Sequence, residues 1–207
     1  MKRNGNAPRR LWPAIAWMAL GGLLLAGALI ACNNNTDDNV KAAEKLNAQK
    51  IDTENKTKSV TDSTSVPSKQ DADFIVEAKT GNQLEVTLGQ LAQTNAQDPA
   101  VKRFGMMMVR DHTEGEKEIR QLAVARRIVI PDTLSNKQQK EYVDLKGMTG
   151  RNFDKAYIKL MVSDHKEDID EYTKASRNAN DPDIKALAAK TLPILKEHLD
   201  SAEALKK

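Results

Sequence analysis

Apolar positions along this chain fall into three regimes. An unbroken apolar stretch, LWPAIAWMALGGLLLAGALI, runs from Leu11 to Ile30. From Asn33 to Gln70 apolar residues stand isolated among Ser, Thr, Asn and Lys. From Ala72 onward they recur every three or four positions, the spacing of a helix face. Phe74, Ala78, Leu84, Leu88, Leu91 and Ala92 predict a helix over 72–95, interrupted by Gly81 and Gly89. Asp98-Pro99 has the form of a helix start, with Asp as cap and Pro in the first turn. The helix it opens carries Val101, Phe104, Met108, Ile119 and Leu122 to about Ile128. Ser135 with Gln138 reads as a capping box before a short helix over 136–147. Phe153, Tyr157, Leu160, Met161, Ile169 and Tyr172 mark a helix over 151–178. Asn180-Asp181-Pro182 repeats the Asp-Pro start, and Ile184, Leu187, Ala188, Leu192, Leu195 and Leu199 continue to about Leu205. Pro193 should kink this last helix or split it.

Four long helices and one short one predict an all-α fold, an antiparallel four-helix bundle with a short crossover helix. The brief connections after 95 and after 178 favour two hairpins, with the short helix lying in the crossover between them. An internal echo supports that layout. Met108-Val109-Arg110-Asp111-His112-Thr113-Glu114 matches Met161-Val162-Ser163-Asp164-His165-Lys166-Glu167 at five of seven positions. Each copy lies at a similar depth in its helix, so structural equivalence is expected.

The first two regimes read as address and spacing. The basic stretch MKRNGNAPRR precedes the apolar run, and Leu29-Ile30-Ala31-Cys32 closes it. That order is the layout of an export signal. The four closing residues resemble the bacterial lipoprotein processing box, in which the cysteine is lipidated. A transmembrane anchor is the alternative, since the run is nearly long enough to span a bilayer. The expected organisation is a lipoprotein signal peptide at 1–31, a lipidated Cys32 with a flexible tether at 32–70, and a helical domain at 71–207. A short helix near Val40–Gln49, using Val40, Ala43 and Leu46, is compatible with the tether. Acyl chains on Cys32 would make the membrane a partner. The expected location is the bacterial cell envelope, at the outer membrane.

Charge then narrows the function classes. The 207 residues carry a formal charge of +3, yet four basic residues belong to the first ten positions. The remaining chain has 28 basic and 29 acidic residues, so no nucleic-acid partner is expected. Cys32 is the only cysteine, which excludes an intramolecular disulfide and a CxxC site. No GxSxG or other nucleophile arrangement is present, so no catalytic residue is assigned.

The three histidines are the sharpest chemical feature. His112, His165 and His198 fall on three different predicted helices, and two follow an Asp directly. Imidazoles and carboxylates on facing helices can hold iron, manganese or zinc. The candidate ligands are Glu85, His112, Glu116, His165, Asp168 and His198, with Asp111 and Asp164 as supporting groups. Glu116 follows His112 by four residues and Asp168 follows His165 by three, so each shares a face with its histidine. Gly115 lies in the core stripe and permits a close helix contact. The same residues also read as a metal-free, hydrogen-bonded polar network inside a core.

Several landmarks together resemble a bacterial family of uncharacterised exported proteins. These are Glu85-Val86-Thr87-Leu88-Gly89-Gln90-Leu91-Ala92, Met108-Val109-Arg110-Asp111-His112 and the loop Val129-Ile130-Pro131. Phe153-Asp154-Lys155-Ala156-Tyr157, Met161-Val162-Ser163-Asp164-His165 and Leu192-Pro193-Ile194-Leu195-Lys196-Glu197-His198-Leu199 complete the set. The similar region covers about residues 72–204. The family is of the domain-of-unknown-function type, described as predicted outer-membrane proteins and grouped with ferritin-like bundles. The resemblance therefore implies a ferritin-like four-helix bundle and an envelope role. It does not supply Glu-x-x-His pairs: Val109, Val162 and Leu195 precede the three histidines by three residues. Two functions follow as expectations. One is a non-enzymatic envelope lipoprotein whose domain contacts an envelope protein or the cell wall. The other is an exported metal-binding or metal-oxidising protein.

Overall fold

The computed structural model describes residues 38–57 and 67–206. The export segment and Cys32 lie outside the described residues. Among the described residues the fold is all-α: α1 (Asn39–Thr57), α2 (Lys69–Asn95), α3 (Pro99–Ala125), α4 (Asn136–Lys146), α5 (Gly150–Asn178) and α6 (Pro182–Leu205).

Local chemistry sets the boundaries. Ser68 caps α2 through the Asp71 N–H. Asp98 and Asp181 cap α3 and α6, each followed by proline in the first turn, where its missing N–H costs nothing. The Ser135–Gln138 capping box opens α4. The third helix ends earlier than the expected Ile128. Arg127 adopts a left-handed conformation, φ 55°, while Arg127 N–H donates to Val124 and Ile128 N–H to Ala123. These two bonds form a Schellman stop. Pro193 does not split α6, which runs unbroken. Pro193 and Ala189 are both exposed, so water can serve the carbonyl that proline leaves unpaired.

α2 and α3 run antiparallel: Gly89 meets Gly105, Glu85 meets His112, and Asn82 meets Gly115. A Cβ at Gly89 would stand 2.6 Å from the Gly105 carbonyl oxygen. Only glycine allows this backbone approach. α5 and α6 also run antiparallel, with Lys166 bonded to Glu203 at 2.7 Å. Each hairpin loop is held by a carboxylate at the start of the other hairpin. Asp71 of α2 accepts the N–H groups of Asn180 and Asp181, both at 3.1 Å. Asp154 of α5 accepts those of Gln97 and Asp98, both at 3.0 Å. α2 therefore opposes α5, whereas α3 and α5 run in the same direction, and α4 lies in the long return between them.

The expected tether differs from the structure. Residues 39–57 form α1, whose Val40 and Ala43 join the core. Leu46, expected on its apolar face, is about half exposed, and Asn47 is buried instead. Asn47 donates to the Val129 carbonyl at 2.9 Å and accepts the Val129 N–H at 2.7 Å. A polar segment thus docks by satisfying loop backbone, which compensates for its sparse apolar surface.

The core has two parts. Ile75, Val76, Ile119, Tyr172 and Ile184 form one with α1. Leu88, Phe104, Met108, Phe153, Tyr157 and Met161 form the other. Burying each large side chain contributes roughly 1.5–3 kcal/mol. Along α3, the second cluster ends at Met108 and the first resumes at Ile119. His112 lies between them.

Candidate metal centre

Four helices each deliver one polar side chain to this junction: Glu85 from α2, His112 from α3, His165 from α5 and His198 from α6. All are buried, at 2%, 4%, 0% and 1% exposure. The imidazole centroids are separated by 5.1–5.7 Å. The parallel course of α3 and α5 brings the two copies of the sequence echo to one level, so His112 and His165 meet.

Each ring has one nitrogen fixed by an acceptor. His112 Nδ1 lies 2.8 Å from Glu85 Oε2 and 3.1 Å from Asn82 Oδ1. His165 Nδ1 lies 2.9 Å from the Met161 carbonyl oxygen. His198 Nε2 lies 3.0 Å from Asp111 Oδ2. These acceptors assign the proton to the bonded nitrogen of each ring. The opposite nitrogens, His112 Nε2, His165 Nε2 and His198 Nδ1, are buried without a hydrogen-bond partner, as is Glu85 Oε1. Glu85 Oε1 stands 3.4 Å from His165 Nε2. Two acceptors thus face one another, an arrangement that a cation relieves.

One ligand atom from each of the three rings falls within 4.8 Å of the others. Nitrogens sharing an ion at about 2.0–2.1 Å are separated by about 3.3–3.6 Å, so small rotations of the rings would close the set. The residues present fit a transition metal: imidazole donors, a carboxylate beside them, and partners that orient the rings from behind.

Electrostatics keeps the donors available. Burial, together with His112, lowers the His165 pKa against the pull of Glu85. Burial and the other two imidazoles lower that of His198 to about 4. Both rings are neutral near pH 7. Burial opposes ionisation of Glu85, but the surrounding imidazoles and the hydrogen bond from His112 outweigh it. Its pKa stays below the usual carboxylate range.

The remaining expected residues go elsewhere. Glu116 pairs with Arg120 of its own helix at 2.8 Å and does not join the histidines. Asp168 and Asp164 line a cavity of about 120 Å³ beside Glu85. Asp111 supports His198 and is also held by Arg110 at 2.6 Å. Met108 and Met161 belong to the apolar core. Asn82 was not among the expected site residues. It lies one helical turn before Glu85, and its Oδ1 would be 2.7 Å from a Cβ at Gly115. Gly115 signalled a close helix contact, but not which residue makes it.

The family model described as Domain of unknown function (DUF4142) matches residues 55–205. No curated protein matches the chain. Among solved structures, the fold is similar to a DUF305 fragment from Deinococcus radiodurans, with TM-score 0.61 and 11% identity, covering 69% of this chain and 98% of that one. It is also similar to CopM in the Cu(I)-bound form, with TM-score 0.55 and 16% identity, covering 65% of this chain and 93% of that one. CopM in the Cu(II)-bound form gives TM-score 0.54 and 15% identity, with 66% and 95% covered. At these identities the likeness is one of fold.

Proposed function

The chain belongs to the DUF4142 family, a domain of unknown function, and from its site we infer that it is a transition-metal-binding protein of the cell envelope. The observation that carries this reading is the convergence of His112, His165 and His198, each with a nitrogen that lacks a hydrogen-bond partner. His112 Nε2, His165 Nε2 and His198 Nδ1 would hold the ion, with Glu85 supplying negative charge beside it. Met161, Asp111, Asn82 and Glu85 orient the rings. Bound there, the ion would supply Lewis acidity or, for copper or iron, a redox couple. Imidazoles suit zinc, copper and iron better than manganese. The copper-bound forms of a protein with a similar fold put copper first among the ions to test.

The finer architectural reading is a ferritin-like antiparallel four-helix bundle, with α4 as the crossover helix. The order of basic, apolar and polar segments around Cys32 supports export and lipidation. In this reading Cys32 anchors the domain at the bacterial outer membrane. No helix among the described residues is long and apolar enough to cross a membrane.

The test uses the full chain, purified in detergent without a His tag and loaded separately with copper, zinc, iron and manganese. Elemental analysis should find about one tightly held ion per chain, lost in His112→Ala and His165→Ala. A folded wild-type chain that retains none of the four refutes the reading. For the anchor, Cys32→Ser should abolish lipid labelling; unchanged labelling removes that assignment.

A further inference from the structure

The cavity beside Glu85 is not explained by the histidine site alone. Seven carboxylates and a single ammonium, Lys137, line it. Lys137 is engaged at 3.7–3.8 Å by Glu141 and Glu167. The volume, about 120 Å³, is the share of about four waters. That is room for an ion keeping part of its hydration shell. At the inner wall stands Glu85, only 2% exposed, whose Oε1 has no hydrogen-bond partner. The Asp164 Oδ2 atom, also on this wall, is buried without a partner. Asp168 stands opposite Gly81, its Oδ1 3.8 Å from where a Cβ would lie.

Glu85 belongs to both compartments. One face lines the cavity, and its carboxylate reaches His112 at 2.8 Å and His165 at 3.4 Å. The other carboxylate that reaches a histidine, Asp111, is gripped by the exposed guanidinium of Arg110. A cation approaching by Asp111 meets a carboxylate already paired with Arg110, whereas one approaching by the cavity meets an excess of carboxylates over the single ammonium of Lys137. A concave wall of one sign raises the local concentration of counter-ions and their association rate.

We propose that the acidic cavity is the route by which a hydrated divalent cation reaches the three histidines, with Glu85 as the last carboxylate it passes. This rests on the metal-binding reading above. The outer Glu141, Glu167 and Glu171 draw the ion inward past Asp164 and Asp168, and Glu85 exchanges it to the imidazoles as water is shed. The carboxylates act on arrival, and the histidines decide retention.

Stopped-flow uptake of Zn²⁺ by the full chain, read against a fluorescent zinc chelator, tests this. Replacing the outer carboxylates in Glu141→Gln/Glu167→Gln/Glu171→Gln should slow uptake about tenfold at low salt. The amount of zinc held at equilibrium should not change. Lys137→Gln, at an exposed position, should speed uptake, and high salt should erase both differences. Circular dichroism checks that each variant is folded. Equal rates for wild type and both variants would overturn the route while leaving the histidine site intact. A folded wild-type chain that takes up no zinc at all would overturn the metal reading and the route with it.

Discussion

The two copies of the Met-Val-x-Asp-His segment are nearly the same in sequence and serve different ends. On α3, Asp111 faces His198 and Arg110 and is held in its charged form: the Arg110 hydrogen bond lowers its pKa, with a further contribution from His198. On α5, Asp164 faces Glu85 of α2, Glu141 and Lys137 of α4, and Glu167 of its own helix. Burial and these carboxylates, against only one ammonium, push its pKa up to about 7. The histidines diverge as well. His112 is bonded to Glu85, whereas His165 is bonded to a carbonyl of its own helix. A motif therefore fixes which groups are present at a given level, and the neighbouring helices decide what each group does.

Substitutions at matched positions can break or sharpen this contrast. The largest effect is expected at His112→Ala, which leaves Glu85 buried without its closest partner. It should destabilise the metal-free protein by about 3–5 kcal/mol. His165→Ala, losing a bond to its own helix and a longer contact to Glu85, should cost about 1–3 kcal/mol. Urea unfolding of both variants measures the difference, and equal losses would dissolve the asymmetry.

The aspartates should respond with opposite sign. The folded-state pKa of Asp164 is raised above its unfolded value, so its contribution to stability falls as pH rises from about 4 to about 7. Asp164→Asn removes that loss and should stabilise the metal-free protein at pH 8 by about 2 kcal/mol, reduced from the full shift for partial exposure. Near pH 3.5 the gain should vanish. Asp111→Asn should instead destabilise by about 1 kcal/mol, by weakening a charge-assisted bond to His198. Thermal melts at the two pH values test both signs. The smallest effect is expected at Glu116→Gln, within about 0–1 kcal/mol. Its metal content should be unchanged, because Glu116 serves Arg120 and not the histidines; loss of metal there would restore it as a ligand.

Much of the fold was legible because helical apolar spacing and Asp-Pro or Ser-x-x-Gln caps are local signals. The starts of α3, α4 and α6 follow from them within a residue. α1 was less legible: its docking depends on Asn47 meeting the backbone of Val129, 82 residues away. The stop at Arg127 was missed for a similar reason, since arginine carries no left-handed preference that would mark a C-terminal cap. Within the site, Glu85 and the three histidines were nameable from helix faces. Asn82 was not, because its role depends on how near Gly115 lets α2 come.

The sequence by itself determined the helices, their caps and the three imidazoles on the inward faces of three of them. Those properties depend on neighbours within one or two turns. Tertiary structure decided the rest: which nitrogen of each ring is free, that Glu85 sits between two histidines, and that Glu116 turns away. It also placed Asp164 and Asp168 in a shared acidic cavity. The physical reason is range. Backbone propensity and capping act over a few residues, whereas hydrogen-bond partners, burial and charge–charge repulsion act across helices that only packing brings together.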